Sequence, residues 1–173
     1  MAFEQFNIKM TRYLILAGSN SGDRLHYLKQ AAISLQQLSE NNLISSGIYE
    51  SKAWGFNSTN YFLNQAHLIF FSSDPQKLLS ILLKIEKSFC RTRNLERTYQ
   101  DRTLDLDILL AENLIICEEN LTIPHPLMQF RKFALKPSAE IAPMWIHPVL
   151  GKSIEELLLT CPDHIPVHLL DFK

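Results

Sequence analysis

Apolar positions along this chain change period several times, and each change marks an element. Tyr13 to Ala17 is a compact apolar run that stops at Gly18-Ser19-Asn20, the pattern of a buried strand running into a turn. After Gly22-Asp23, residues Leu25, Leu28, Ala32, Leu35 and Leu38 recur at three- and four-residue spacing. That period predicts a helix with one apolar stripe, with Asp23 as its N-cap or first-turn acid. Asn41-Asn42 interrupts the stripe, and Leu43 to Ser51 alternates loosely as a second strand. Lys52 to Asn60 has loop composition and carries Trp54 and Phe56. Tyr61 to Phe71, rich in aromatic residues and holding the β-branched Ile69, reads as a third strand. Asp74-Pro75 then starts a second helix, because aspartate caps free amides and proline suits the first helical position. Its apolar face runs through Leu78, Leu79, Leu82, Leu83, Ile85 and Phe89.

Arg91 to Arg102 shows no periodicity and reads as a mobile loop. Thr103 to Leu110 alternates, with Leu104, Leu106, Ile108 and Leu110 on one expected face and Thr103, Asp105 and Asp107 on the other. Asn113 turns the chain into a short strand ending at Cys117. Beyond Pro124 prolines punctuate the sequence, and one short helix is expected near Ser153 to Thr160. The order β-α-β-β-α-β predicts an α+β fold: an antiparallel sheet with two helices on one face, the ferredoxin-like arrangement, plus C-terminal extensions. Residues 1–11 read as a disordered N-terminal extension and 12–173 as a single domain.

Composition narrows the class. With 173 residues the chain suits one domain that needs no disulfide staple. A net charge of −1 argues against a dedicated nucleic-acid or membrane-surface binder. Cys90, Cys117 and Cys161 are widely separated and odd in number, so idle thiols in a reducing compartment are expected rather than a zinc site. Met1 to Lys9 has no apolar run of the kind a secretory leader carries, and no stretch has the length of a membrane span. The expected location is the cytoplasm.

Candidate chemistry concentrates in Arg102-Thr103-Leu104-Asp105-Leu106-Asp107-Ile108. Alternation puts Asp105 and Asp107 on one face with Cα atoms roughly 6.5–7 Å apart. Carboxylates so close repel unless a cation intervenes, and oxygen ligands of this kind suit magnesium shared with substrate phosphates. A solvated polar strand face is the plain alternative for such a pair. Arg91, Arg93, Arg97 and Arg102 precede it within a dozen residues, and guanidinium groups match phosphate oxygens. His125, fixed between Pro124 and Pro126, is placed to donate to a phosphate oxygen, whereas His147 reads as structural. The GxxxxGK[ST] loop is absent, so side chains and metal, rather than a glycine-rich cradle, would hold a nucleotide.

From Tyr13 to Thr160 the chain resembles the 6-hydroxymethyl-7,8-dihydropterin pyrophosphokinase family. The resemblance rests on Gly18-Ser19-Asn20, Phe62-Leu63-Asn64, Glu86, the arginine loop, Arg102-Thr103-Leu104-Asp105-Leu106-Asp107, and Pro124-His125 followed by Arg131 and Phe133. It implies transfer of pyrophosphate from ATP to a pterin alcohol in folate biosynthesis. By this resemblance Asp105 and Asp107 hold two magnesium ions, and Arg91 and Arg102 contact the transferring phosphates. Glu86, Arg93, Ile108, Thr122, His125 and Arg131 fall where the family builds its ATP site. Asn64 reads the pterin edge, Phe133 stacks on the ring, and Ser51, Trp54 and Phe62 complete the pocket.

Three departures from the family pattern stand out. Phe62 replaces a tyrosine of some relatives. Thr98-Tyr99-Gln100-Asp101 is about one residue longer than the common loop and lacks its usual tryptophan, with Tyr99 as a substitute cap. Lys52-Ala53 replaces a more proline-rich stretch. A monomer acting on small molecules is expected, with other folate enzymes as the class of protein contact. Two other classes compete: a non-catalytic ferredoxin-like ligand-binding module and a metal-dependent phosphohydrolase.

Overall fold

The computed structural model describes residues 10–89 and 101–171. Strand β1 (Thr11–Ser19) pairs along its length with β4 (Phe62–Phe71) on one side and β5 (Asp105–Ala111) on the other. The apolar run at the start of the chain therefore becomes the sheet's spine. Strand β3 (Tyr49–Ser51) continues the sheet beyond β4, and β8 (Val167–Leu169) closes it beyond β3. All these pairings are antiparallel. The order β5-β1-β4-β3 is the ferredoxin-like one. The loosely alternating segment expected to be one strand is two: β2 (Ile44–Ser45) and β3, both paired with β4.

Helix α1 (Arg24–Leu38) is capped by Asp23, whose carboxylate accepts the His26 N–H, and α2 (Pro75–Ser88) by Asp74, which accepts the Lys77 N–H. Both cover one face of the sheet. Tyr13, Ile15 and Ala17 of β1 pack there with Leu28, Leu35, Leu78 and Leu82. Full burial of each such leucine contributes about 1.5–3 kcal/mol.

The expectation of helices on one face is incomplete. Leu14 and Leu16 of β1 point the other way, where Ala66 and Leu109 join them under α3 (Lys132–Ile141) and α4 (Ile154–Leu159). Helix α3 was hidden in the sequence by Pro137, which lies inside it. An internal proline forfeits a backbone hydrogen bond, and burial of Ala134, Leu135, Pro137 and Ser138 offsets that loss. Helix α4 begins at the expected place, with a capping box between Ser153 and Glu156.

Strand β5 also departs from simple alternation. Leu104, Leu106 and Ile108 face α1 and α2 as expected, but Leu110 lies with Leu109 on the opposite face. A register shift against β1 between Leu14 and Ile15 accommodates the extra residue, the signature of a bulge. The short strand ending at Cys117 exists as β6 (Ile116–Cys117), paired in its own hairpin with β7 (Thr122–Ile123).

His67 of β4 is fully buried, with Nδ1 2.8 Å from the Ser45 hydroxyl and no hydrogen-bond partner for Nε2 among the described residues. Burial holds its pKa down at about 4, from 6.5. The unfolded chain therefore takes up this proton first. Stability is complete above about pH 6.5, declines as pH falls and levels out below about 4, a loss of about 3 kcal/mol from this residue. Urea denaturation from pH 7 to pH 4 should show His67→Gln with a shallower loss of stability than the parent.

Candidate active site

The sheet register brings the chemistry together. Gly18 of β1 stands between Asp105 of β5 and Asn64 of β4, and Leu16 between Asp107 and Ala66. These side chains share the face of the sheet turned toward α3. Asp105 and Asp107 thus lie on the floor of a cleft lined also by Ser51, Trp54, Phe56, Phe62, Asn64, Arg102, Arg131 and Phe133. Gly18 keeps the floor low: a Cβ there would come within 3.2 Å of the Asn64 Oδ1. Asn64 is 1% exposed and its amide donates to the Ser51 hydroxyl at 3.3 Å. Aromatic rings and a buried amide lining one slot suit a planar, hydrogen-bonding heterocycle.

The acidic pair is electrostatically loaded. Arg102 forms an ion pair with Asp105. The Asp107 carboxyl is pushed up from the usual carboxylate range, first by removal from water and then by the charge of Asp105, with Arg131 and Arg102 opposing. Arg131 is buried, and its guanidinium carbon lies 4.9 Å from the centre of the Trp54 ring and 5.7 Å from that of Phe133. Such cation–π contacts hold a planar cation within the aromatic walls.

A second cleft lies beside the first, lined by Leu79, Leu83, Ile108, Thr122, His125 and Pro126 among others. Asp107 lines both clefts. The His125 Nδ1 accepts the Leu127 N–H at 3.1 Å, a closer contact than the 3.5 Å from Nε2 to the Arg131 Nη1, so the backbone donor sets the tautomer and Nε2 carries the proton of the neutral ring. Burial, with Arg131 adding, lowers the His125 pKa to about 4, so a neutral donor is present at neutral pH.

The expected residues sort unequally. Ser51, Trp54, Phe62, Asn64, Phe133, Arg102, Asp105 and Asp107 come together in the first cleft, and Ile108, Thr122 and His125 in the second. Arg131, expected with the nucleotide, lines the aromatic slot and reaches toward His125, its Nη1 3.5 Å from Nε2. Glu86 stands beneath the floor: it is 2% exposed, and its carboxylate accepts the Leu106 N–H at 2.8 Å. Arg91, Arg93, Arg97 and Tyr99 lie outside the described residues. Leu16, Gly18, Lys52 and Phe56 line the slot without having been assigned to it. Strand parity from Asp105 would have reached Gly18 only once the pairing of β1 with β5 was known.

The family model described as 7,8-dihydro-6-hydroxymethylpterin-pyrophosphokinase (HPPK) matches residues 14–143. The chain belongs to this family. It is 40% identical over 146 residues to the 2-amino-4-hydroxy-6-hydroxymethyldihydropteridine pyrophosphokinase of Aquifex aeolicus, covering 84% of this chain and 89% of that one. With the protein of that name from Haemophilus influenzae it shares 38% identity over 161 residues, 92% of this chain and 98% of the relative. Among solved structures, the wild-type HPPK-DHPS of Plasmodium falciparum matches with a TM-score of 0.65 at 17% identity, over 87% of this chain. This chain spans 44% of the length of that larger protein, and the likeness concerns the fold.

Replacing Asp105 by Asn removes a neighbouring negative charge and frees Arg102 toward Asp107. Carbon-13 NMR of the metal-free protein should therefore show the Asp107 carboxyl titrating at lower pH in that variant than in the parent.

Proposed function

We propose that the protein transfers the pyrophosphoryl group of ATP to the hydroxymethyl group of 6-hydroxymethyl-7,8-dihydropterin, giving AMP and the pterin diphosphate, a step of folate biosynthesis. Beyond family membership, one observation carries the reading: the aromatic slot and the second cleft meet at Asp107. A ring in one and a nucleotide in the other would bring a hydroxymethyl group and a phosphate chain to the same carboxylates.

In this reading Asn64 and Ser51 hold the pterin edge, and Phe133, Trp54 and Phe62 wall its faces. Ile108, Thr122 and His125 flank the nucleotide, with the neutral His125 donating from Nε2 to a phosphate oxygen. Arg131 bridges the two clefts. Arg102, and Arg91 and Arg93 from outside the described residues, supply positive charge to the phosphates. Glu86 acts from beneath, holding β5 so that its two acids keep their direction.

The hydroxymethyl oxygen attacks the β-phosphorus in line. Its bond to that phosphorus forms as the bond from the β-phosphorus to the α,β-bridging oxygen breaks, and AMP departs with that oxygen. The hydroxyl proton passes to solvent. The residues chiefly align the two reactants and balance their charge.

Magnesium fits the donor set. Among the described residues no group of three or more His, Cys, Asp or Glu could hold a metal unaided. Two carboxylates completed by substrate phosphates and water match the habit of magnesium, and two ions suit a pair of acids spaced along one strand. Bound at Asp105 and Asp107, the ions would neutralise phosphate charge and polarise the β-phosphoryl group.

The test is AMP release in a mixture of protein, ATP, magnesium and the reduced pterin. AMP that depends on pterin is the expected result. ATP loss without pterin would indicate a phosphohydrolase, and no turnover a binding module. Asp107→Ala should abolish turnover while circular dichroism shows the fold retained. Arg102→Ala should lower kcat by about 100-fold or more, with a smaller effect on pterin binding measured by calorimetry.

A further inference from the structure

One carboxylate joins the two loops around the slot while lining neither cleft itself. Asp101 directly precedes Arg102. Its Oδ1 accepts from the Asn20 amide at 2.6 Å and from the Ser58 hydroxyl at 2.7 Å, and its Oδ2 accepts from the Asn60 amide at 2.8 Å. Ser58 and Asn60 belong to the irregular connection between β3 and β4, the segment whose Trp54 and Phe56 wall the slot. The Ser58 hydroxyl also accepts the Asn60 N–H at 3.1 Å, so the two loop donors form one unit.

Asn20, 1% exposed, completes the connection. Its Oδ1 accepts the Arg102 N–H at 2.6 Å, and its own N–H donates to the Arg102 carbonyl at 3.0 Å. The Ser21 N–H donates to the same carbonyl at 3.1 Å. The turn after β1 thus fixes the backbone of Arg102, and the adjacent carboxylate reaches from that fixed point to the aromatic loop. Bonds to an ionised acceptor are roughly twice as strong as neutral ones, so a carboxylate suits this role better than an amide.

We propose that Asp101 is a positioning residue that clamps the Trp54- and Phe56-bearing loop to the Arg102 backbone, fixing the distance between the ring-binding wall and the arginine that faces the phosphates. This inference rests on the reading of the slot as the pterin site. It adds a residue to that reading which touches neither substrate and acts through Trp54 and Phe56.

The test compares the full-length parent with Asp101→Ala and Asp101→Glu. Asp101→Ala should raise the pterin KM about fivefold or more, with the ATP KM within about twofold and kcat reduced about threefold at most, because Asn20 still holds Arg102. Asp101→Glu, which keeps the charged acceptor, should recover most of the loss. A second arm needs no substrate. In a Trp145→Phe background Trp54 is the sole tryptophan, and its quenching by acrylamide should increase when Asp101 is replaced by Ala. Unchanged pterin KM together with unchanged quenching would overturn the clamp, leaving Asp101 as a surface acid that accepts whatever donors lie nearby. If Asp101→Ala unfolds, the Ser58→Ala/Asn60→Ala double variant should reproduce the KM pattern, and a parental pterin KM there overturns the proposal. A parent that makes no AMP from ATP and pterin would remove the activity reading, while quenching would still report on the clamp.

Discussion

Two like charges held two residues apart on a strand are the constraint around which this molecule is arranged. Asp105 and Asp107 cannot turn away from each other, because strand parity fixes both toward the same face. Water is partly withdrawn from them by the cleft they floor, so their repulsion is only weakly screened. The surroundings answer with positive charge, from Arg102 at the ion pair and from Arg131 across the slot. The same tension that makes the acids costly in the free protein would be relieved by a cation, as the proposed magnesium-bound nucleotide would supply. Family membership and geometry converge here, since the matched region contains both acids and the walls of both clefts.

The strands and helices nearest the acids were legible because each was signalled by a local rule. Alternation gave β5 its two acids, aspartate caps gave the starts of α1 and α2, and an unbroken apolar run gave β1. Features set by distant pairing were not legible. The bulge that sends Leu110 to the opposite face answers to β1, ninety-odd residues earlier in the chain, and has no local mark. Helix α3 was obscured because proline is a strong local signal against helix, while the burial that outweighs it is a property of the assembled sheet. With α3 unseen, the sheet's second covered face was unseen too.

The site followed the same division. The acids, Asn64, Trp54 and Phe133 were reached through motif and resemblance, and the structure gathers them in one cleft. Gly18 had been noted in a turn motif, yet what matters is that it faces Asn64 across a strand pair, where an added methyl group would press on the Asn64 side chain. Arg131 was assigned by resemblance to the nucleotide, whereas the aromatic rings beside it give it a second set of partners. Asp101 had no motif at all. Its significance lies in three donors supplied by segments roughly forty and eighty residues away.

The Glu86 carboxylate that accepts the Leu106 N–H has a further effect. Strand β5 is the outermost member of the sheet on its side, so one row of its backbone groups points outward, where another chain could add a strand. Glu86 occupies one of those groups from α2, and the His125 N–H occupies the Leu109 carbonyl from the segment after β7. Two outward groups of the strand bearing the acids are therefore already taken by the contacts that steady it, and a strand added along this border would have to displace both.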